Sequence, residues 1–295
     1  MNNRTLISLI ILLFVVFPLI LTSQTQDSKE TRLKSISLWK YEVISGNIQS
    51  EGTKISSSNF NEYGKVIEQI SYNADGTVLN STITKYNAEG NPIELVTTSS
   101  IKELDKRIVV NYNESKYPSE SIILDLNGKN LLRSEYLYDE NNLLVEIISK
   151  SDDNKIFFKV VNNYNEDRTP NKTMMLDKAG NIIGKRNYSY GPDGYKVEIM
   201  GKDIEVMPFK TESFDKKGNR EEEVTYNAEG KMVAKTKNIY DKGGNILEKI
   251  IETPSANMRT RTKYIYDKDL LVEQINYNKL DEPVEVIRII REYYD

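Results

Sequence analysis

The chain has 295 residues, with 40 Lys plus Arg against 44 Asp plus Glu, a formal net charge of -4, no His and no Cys. These absences exclude the imidazole-dependent triads, thiol nucleophiles, disulfides and the usual zinc, copper, haem and iron-sulfur ligand sets. Both charge signs are interspersed, so there is no basic stripe for nucleic acid, and 38% apolar against 28% charged residues is too wet for a thick core.

The first element is an export signal over residues 1–23. Met1-Asn2-Asn3-Arg4 is a short cationic head, and Leu6 to Leu21 is aliphatic or Phe except for Ser8 and Pro18. Thr22-Ser23-Gln24 supplies the small residues near a cleavage point. The apolar stretch is shorter than the roughly 20 residues of a membrane span, and Pro18 interrupts it, so removal is favoured over retention as an anchor. No Cys follows it, which excludes a lipoprotein. The rest divides into a polar linker over residues 24–34, strands over 35–59 that cap the next element, and a repeat array over 60–295. Trp39, the only Trp, falls within the cap.

The array is periodic. Aromatic anchors recur at Phe60, Tyr86, Tyr112, Tyr138, Tyr164, Tyr190, Phe214, Tyr240 and Tyr266, every interval being 26 residues except the 24 from Tyr190 to Phe214. Most anchors are followed by Asn or Asp. Twelve residues after alternate anchors a second turn signature appears, as in Tyr72-Asn73-Ala74-Asp75-Gly76, which divides each step into 12 and 14. In Tyr-Asn-Ala-Glu-Gly the Asn side chain accepts a backbone hydrogen bond two residues on, and Gly takes the left-handed conformation that closes a type I turn with a bulge. The turn glycines are Gly64, Gly76, Gly90, Gly128, Gly180, Gly194, Gly218, Gly230 and Gly244.

Between turns, runs such as Lys65 to Ser71 and Ile246 to Ile251 are rich in β-branched residues and lack helical periodicity. They are expected to be strands of roughly 8 to 10 residues. Val66, Glu68, Ile70 and Tyr72 share one face of the first of them, and Ile67, Gln69 and Ser71 the other, so both faces are mixed. A two-layer sandwich requires a cleaner apolar face. The expected fold is therefore all-β: a long antiparallel meander or β-hairpin solenoid of 26-residue repeats with an N-terminal signal helix.

Tyr240-Asp241-Lys242-Gly243-Gly244-Asn245, Phe214-Asp215-Lys216-Lys217-Gly218-Asn219 and Leu176-Asp177-Lys178-Ala179-Gly180-Asn181 resemble the Tyr-Asp-x-x-Gly-Asn core of YD repeats, as in the Rhs family of exported bacterial proteins. The resemblance covers Phe60 to Asp295. It departs from the family where Asn replaces Asp at positions 61, 73, 87, 113, 165 and 227, and where Gly is lost at Lys116, Asn142, Arg168 and Leu270. It implies a spiral shell, which in that family encloses a C-terminal toxin, and an envelope or surface location in a Gram-negative-like bacterium. Here the repeat phase runs to Tyr294-Asp295, leaving no cargo domain.

No residue is assigned a catalytic, cofactor or metal role. Ser99 and Lys102 have a Ser-x-x-Lys spacing that works only on a helix. The acidic turns Asp152-Asp153-Asn154 and Asp139-Glu140-Asn141-Asn142 lack the spacing of a calcium loop. Glu221-Glu222-Glu223 and the alternating Arg259, Arg261 and Lys263 fit a cross-strand charge ladder. The expected function is an exported, non-enzymatic binding or scaffolding surface, periplasmic or extracellular, with a protein or polysaccharide partner, no nucleic acid, no cofactor and no membrane span once the signal is removed. The alternatives are a hydrolase using paired carboxylates and a cargo-less relative of toxin-delivery proteins.

Overall fold

The computed structural model describes residues 32–201 and 208–294. The signal segment, and the signal helix expected there, lie outside the described residues. Strands follow one another with short turns: β1 (Leu33–Ile44), β2 (Asn47–Ile48), β3 (Thr53–Phe60), β4 (Val66–Tyr72), β5 (Val78–Tyr86), β6 (Pro92–Ser99), β7 (Lys106–Tyr112), β8 (Pro118–Leu124), β9 (Asn130–Tyr138) and β10 (Leu144–Lys150). The second half contains β11 (Ile156–Tyr164), β12 (Pro170–Asp177), β13 (Ile182–Gly191), β14 (Gly194–Gly201), β15 (Lys210–Asp215), β16 (Arg220–Tyr226), β17 (Met232–Tyr240), β18 (Ile246–Thr253), β19 (Met258–Asp267), β20 (Leu270–Tyr277) and β21 (Pro283–Tyr293). Two short 3₁₀ turns, Lys102–Leu104 and Pro254–Ala256, are the helical elements among the described residues.

From β3 to β21 each strand pairs antiparallel with the next, and β1 pairs on one side with β3 and on the other with β21. The sheet therefore closes. Its twenty staves form an antiparallel β-barrel, with β2 an accessory hairpin partner of β1. The open meander or solenoid expected from the repeats is corrected by this closure, and so is the spiral implied by the YD-repeat resemblance: one circuit meets its own start. Closure removes both sheet edges, which would otherwise present a row of unpaired N–H and C=O groups. Segment 35–59, expected as a cap, supplies most of β1, which closes the barrel against β21, and β3, its neighbour on the other side.

The turns follow the local chemistry. Asn61 N donates to Lys65 O and Gly64 N to Asn61 O, both at 2.9 Å, while Asn61 Oδ1 accepts from the backbone of Tyr63 and Lys65. The same three-residue loop with a left-handed third position recurs at most of the bulged hairpins, and the nine turn glycines all have positive φ, from +73° to +144°. Where Gly is lost, Lys116, Asn142 and Arg168 hold the same conformation at φ 67°, 60° and 67°. In the β19–β20 turn the positive φ belongs to Lys268, and Leu270 is the first residue of β20, correcting the expected position.

The 24-residue interval has a visible cause. Tyr164 pairs with Pro170 across a bulged turn, whereas Tyr190 pairs with Tyr195 across the tight Gly191-Pro192-Asp193-Gly194 turn, with no bulge. One residue is saved there. The other is saved between Tyr195 and Phe214, which also pair directly.

Cross-strand partners share a face, and the register carries two consistent faces around the whole circuit. All buried side chains except Ser57, Thr211, Val224 and Val286 lie on the face that includes Ile108, Ser121, Ser134, Ser149 and Val160. Side chains converge on the inside of a curved sheet, so this is the concave face. Its apolar cluster of Ile108, Ile123, Leu132, Phe158 and Val160 spans β7 to β11 as a lining of the wall. Twenty staves about 4.8 Å apart give a perimeter of about 100 Å, hence about 30 Å across a circular section, and barrels of 16 to 18 strands already leave an aqueous channel.

Candidate functional site

The rim formed by the β3–β4, β5–β6 and later alternate turns carries the aromatic anchors. Seven anchor phenols each donate to a backbone carbonyl twenty residues earlier, in the neighbouring hairpin: Tyr86 to Val66, Tyr112 to Pro92, Tyr138 to Pro118, Tyr164 to Leu144, Tyr190 to Pro170, Tyr240 to Arg220 and Tyr266 to Ile246, at 2.6 to 2.9 Å. At the joint Tyr294 Oη donates to Phe60 O at 2.6 Å. Burial pushes these anchor phenols above the ordinary tyrosine range, Tyr138 to about 12, the nearby Tyr136 adding to the effect there. They are neutral donors at neutral pH.

The convex face carries ion pairs between residues thirteen apart. Glu94 pairs with Arg107, Glu120 with Arg133, Glu146 with Lys159 at 2.8 Å, Glu222 with Lys235 at 2.7 Å and Glu248 with Arg261 at 3.2 Å. Half a repeat separates the partners, which places them diagonally on adjacent strands. Of the acidic and basic runs, Glu222 and Arg261 belong to this ladder, with Arg259 near Glu252 at 3.8 Å, while Glu223 lies on the other face. Sequence reading missed the ladder as a whole. Its signal was an acid at one position and a base thirteen later, repeated at the 26-residue period.

On the concave face, positions four and two before each rim aromatic run through uncharged residues for most of the circuit: Ser56 and Ser58, Thr82 and Thr84, Ile108 and Val110, Ser134 and Tyr136, Val160 and Asn162. At β13 and β15 these positions become Arg186 with Tyr188, then Lys210 with Glu212. Glu212 and Glu223 are register partners, two carboxylates side by side on adjacent strands. Arg220 Nη1 donates to Glu212 Oε1 at 3.1 Å and to Glu223 Oε2 at 2.6 Å, and Lys210 Nζ to Glu223 Oε1 at 3.0 Å. Burial pushes the Glu223 carboxyl up, but the hydrogen bond and charge of Lys210, with Arg220, outweigh it and hold the group below the usual carboxylate range. That environment favours the carboxylate form of Glu223, whereas a glycosidase of paired carboxylates needs one carboxyl that stays protonated.

Above this cluster, at the rim, Tyr190, Tyr195 and Phe214 form a cross-strand aromatic ladder. Tyr195 and Phe214 stack with centroids 4.5 Å apart at 7°, and Tyr190 and Tyr195 lie 5.5 Å apart at 33°. Tyr190 is 45% exposed. Two open notches lie elsewhere. One of about 330 Å³ on the joint includes Ser37, Lys54, Ser57 and Asn59. The other, about 620 Å³ on the rim, includes Asn141, Asn162, Asn163, Tyr164 and Arg168.

The remaining singled-out residues have local roles. Ser99 Oγ accepts from Ile101 N at 3.1 Å, and Lys102 pairs with Asp105 at 3.7 Å, so these two residues are engaged separately. Asp153 accepts from Ser151 Oγ at 2.6 Å and pairs with Lys155 within its own turn. Trp39 Nε1 donates to Ser37 Oγ at 3.0 Å on β1. Among the described residues no group of three or more acids is placed to hold a metal ion.

No family model matches the chain, and no curated protein does. Solved structures that are similar include a porin-like protein from Bacteroides uniformis, 10% identical, with a TM-score of 0.37 over 88% of this chain and 98% of that one. A porin-like protein from Bacteroides vulgatus is 10% identical, with a TM-score of 0.32 over 88% of this chain and 98% of that one. TcdB2-TccC3 without its hypervariable C-terminal region is 11% identical, with a TM-score of 0.38 over 85% of this chain and 14% of that one. None of these scores reaches 0.5, and the barrel rests on its own strand pairings.

Proposed function

We propose that the protein is an exported β-barrel that works without catalysis, as a binding or scaffolding surface in the bacterial envelope or outside the cell. The observation that carries this reading is the distribution of charge over the wall. A barrel that spans a bilayer needs an apolar band on its lipid side, and an Arg or Lys at the midplane of that band costs about 2 to 4 kcal/mol. Here the convex face carries the ion-pair ladder through β6–β11 and β16–β19, and the concave face carries Lys40, Lys210, Glu212 and Glu223. Whichever face met lipid, charges would enter it. Both faces suit water, and a wall wet on both sides offers a large polar surface to a macromolecular partner.

The export half of the reading stands on the cationic head and apolar stretch of residues 1–23. The binding half is favoured over hydrolysis by the engagement of Glu212 and Glu223, whose oxygens already accept from Arg220 and Lys210.

Fractionation of the native host, followed by pull-down from envelope extracts, tests this. The expected result is a chain lacking its first residues, released from the envelope fraction by high salt or alkaline carbonate, with a co-purifying protein or polysaccharide. Full-length protein bearing Met1 in the cytosol would overturn export. Release only by detergent would overturn the wet-walled reading.

A further inference from the structure

The sector from β13 to β16 departs from the other hairpins in several respects. The anchor interval falls from 26 to 24 residues. The rim turn loses its bulge, and Gly194 lies so close to β15 that a Cβ there would sit 1.9 Å from Phe214 O. Phe214, like Phe60, lacks the phenol with which the seven tyrosine anchors bond the preceding hairpin. The concave positions four and two before the anchor, uncharged in the other repeats, hold Arg186, Lys210 and Glu212 here. Where local regularity is abandoned in several independent respects at one place, a function is a better account than packing, because each departure forfeits stability that the neighbouring repeats retain.

The departures also agree chemically. Three aromatic rings line the rim of the sector, and directly below them two carboxylates are fixed side by side by Arg220 and Lys210. Arg220 and Lys210 offset Glu212 and Glu223, so these four groups together present no net charge to a ligand. What the sector offers is apolar C–H contact at the mouth and fixed donors and acceptors beneath. A ligand that matches has apolar ring edges and many hydroxyls, and carries no strong charge. We infer that the concave face of β13–β16 is a binding site for an uncharged saccharide chain that enters over the Tyr190, Tyr195 and Phe214 rim, its hydroxyl groups meeting Glu212, Glu223 and Arg220. This deepens, and rests on, the binding reading above.

Aromatic rings give sugars a large rigid contact at little entropic cost, and carboxylates held by cations accept hydroxyl hydrogen bonds without first being reorganised. The other rim tyrosines are the internal control. Tyr138 makes the same phenol-to-carbonyl bond as Tyr190, to Pro118 O at 2.9 Å, but the concave residues below it, Ser134, Ser121 and Ser149 among them, are uncharged.

The test is titration of the full chain, as purified from its host, with maltohexaose, cellohexaose and chitohexaose, followed by calorimetry or intrinsic fluorescence. Wild type is expected to bind at least one of them saturably. Tyr190→Ala and Glu212→Gln are expected to weaken that binding about ten-fold or more, and Tyr138→Ala to leave it within about two-fold, with matching circular dichroism for all three. No saturable binding of any probe, or equal weakening by Tyr138→Ala, overturns the inference. A protein that captures an envelope protein yet binds no saccharide loses this inference alone; one found full-length in the cytosol loses the reading beneath it.

Discussion

The phenol of Tyr138 donates to the carbonyl oxygen of Pro118 at 2.9 Å, twenty residues back and one hairpin along the rim. Tyr164 makes the equivalent bond to Leu144 O at 2.9 Å, but there Asn162 Nδ2 donates to the same oxygen, also at 2.9 Å. The two sites differ in what remains when the phenol is removed. At Tyr138 the carbonyl loses the side-chain donor seen at that site; at Tyr164 one donor stays. Net contributions of such bonds are about 0.5 to 1.5 kcal/mol. Tyr138→Phe is therefore expected to cost about 1 kcal/mol and Tyr164→Phe visibly less, with the full cost returning in the Asn162→Ala, Tyr164→Phe double variant. Chemical denaturation of the four proteins measures this, and equal losses at the two tyrosines would contradict it.

Left-handed turn positions give a graded series. Lys116 holds φ 67° with an exposed side chain, a conformation that costs an L-residue about 1 to 2 kcal/mol and glycine almost nothing. Part of that gain is offset by the greater freedom of glycine in the unfolded chain. Lys116→Gly should stabilise by about 0.5 to 1 kcal/mol. Gly64→Ala, at φ +73° with open space around the new methyl, should destabilise by about 1 kcal/mol. Gly194→Ala should cost clearly more than Gly64→Ala, about 3 kcal/mol, because β14 must part from Phe214 O to admit the methyl. The order of the three melting temperatures is the measurement, and Gly194→Ala melting above Gly64→Ala would refute the close approach.

On the convex face, Arg261 differs from the other ladder cations. Its side chain is 17% exposed, it bonds Glu248 at 3.2 Å and Asp281 at 3.0 Å, and its guanidinium lies 4.2 Å from the centroid of the Tyr277 ring. Arg133 pairs with Glu120 and is 45% exposed. Exposed pairs are worth about 0 to 1 kcal/mol and are screened by salt, whereas a covered guanidinium also supplies packing and ring contact. Arg261→Ala is expected to lower stability by about 1 to 2 kcal/mol and Arg133→Ala by less than about 0.5. Raising the salt concentration should shrink the Arg133 effect and leave most of the Arg261 effect; equal salt sensitivity would contradict this.

Strand positions, turn chemistry and the rim aromatics were legible because each is a local property repeated many times. Asn61 and Gly64 dictate their turn from within five residues, and Tyr86 and Tyr112 mark the same place in successive units. Closure was not legible in this way. It depends on β1 meeting both β3 and β21, a contact between Leu33 and Tyr293 that no local pattern encodes. The mixed faces of β4 did indicate a single-layer wall, but a mixed strand suits an open sheet and a barrel equally. Nor could the text place Glu212 beside Glu223, because their adjacency depends on the bulge between Ser213 and Phe214, which offsets the register.

With no histidine, the chain has almost nothing that titrates between the carboxylates and the amines, so its stability is expected to be flat from about pH 5.5 to 9. The rise in the rim phenols then sets the alkaline limit. A tyrosine whose folded pKa lies above its unfolded value of about 10 keeps its proton longer when folded, so its contribution is complete below about pH 10 and is lost as pH climbs through the folded value, about 12 for Tyr138. Because a phenolate cannot donate to the Pro118 carbonyl, ionisation also breaks the rim bond, and seven such bonds weaken over the same window. On the acid side the turn carboxyls move the other way. Hydrogen bonds from Lys155 and Ser151 hold Asp153 at about 2, and those from Asn219 and Asn245 hold Asp215 and Asp241 below the usual range. Their contribution is present above about pH 4 and lost below it. Melting temperature followed from pH 2 to 12, with phenolate absorbance recorded alongside, should show a plateau bounded by an alkaline fall that coincides with tyrosine ionisation. Phenols that ionise freely near pH 10 while the barrel stays folded would refute the rim bonds.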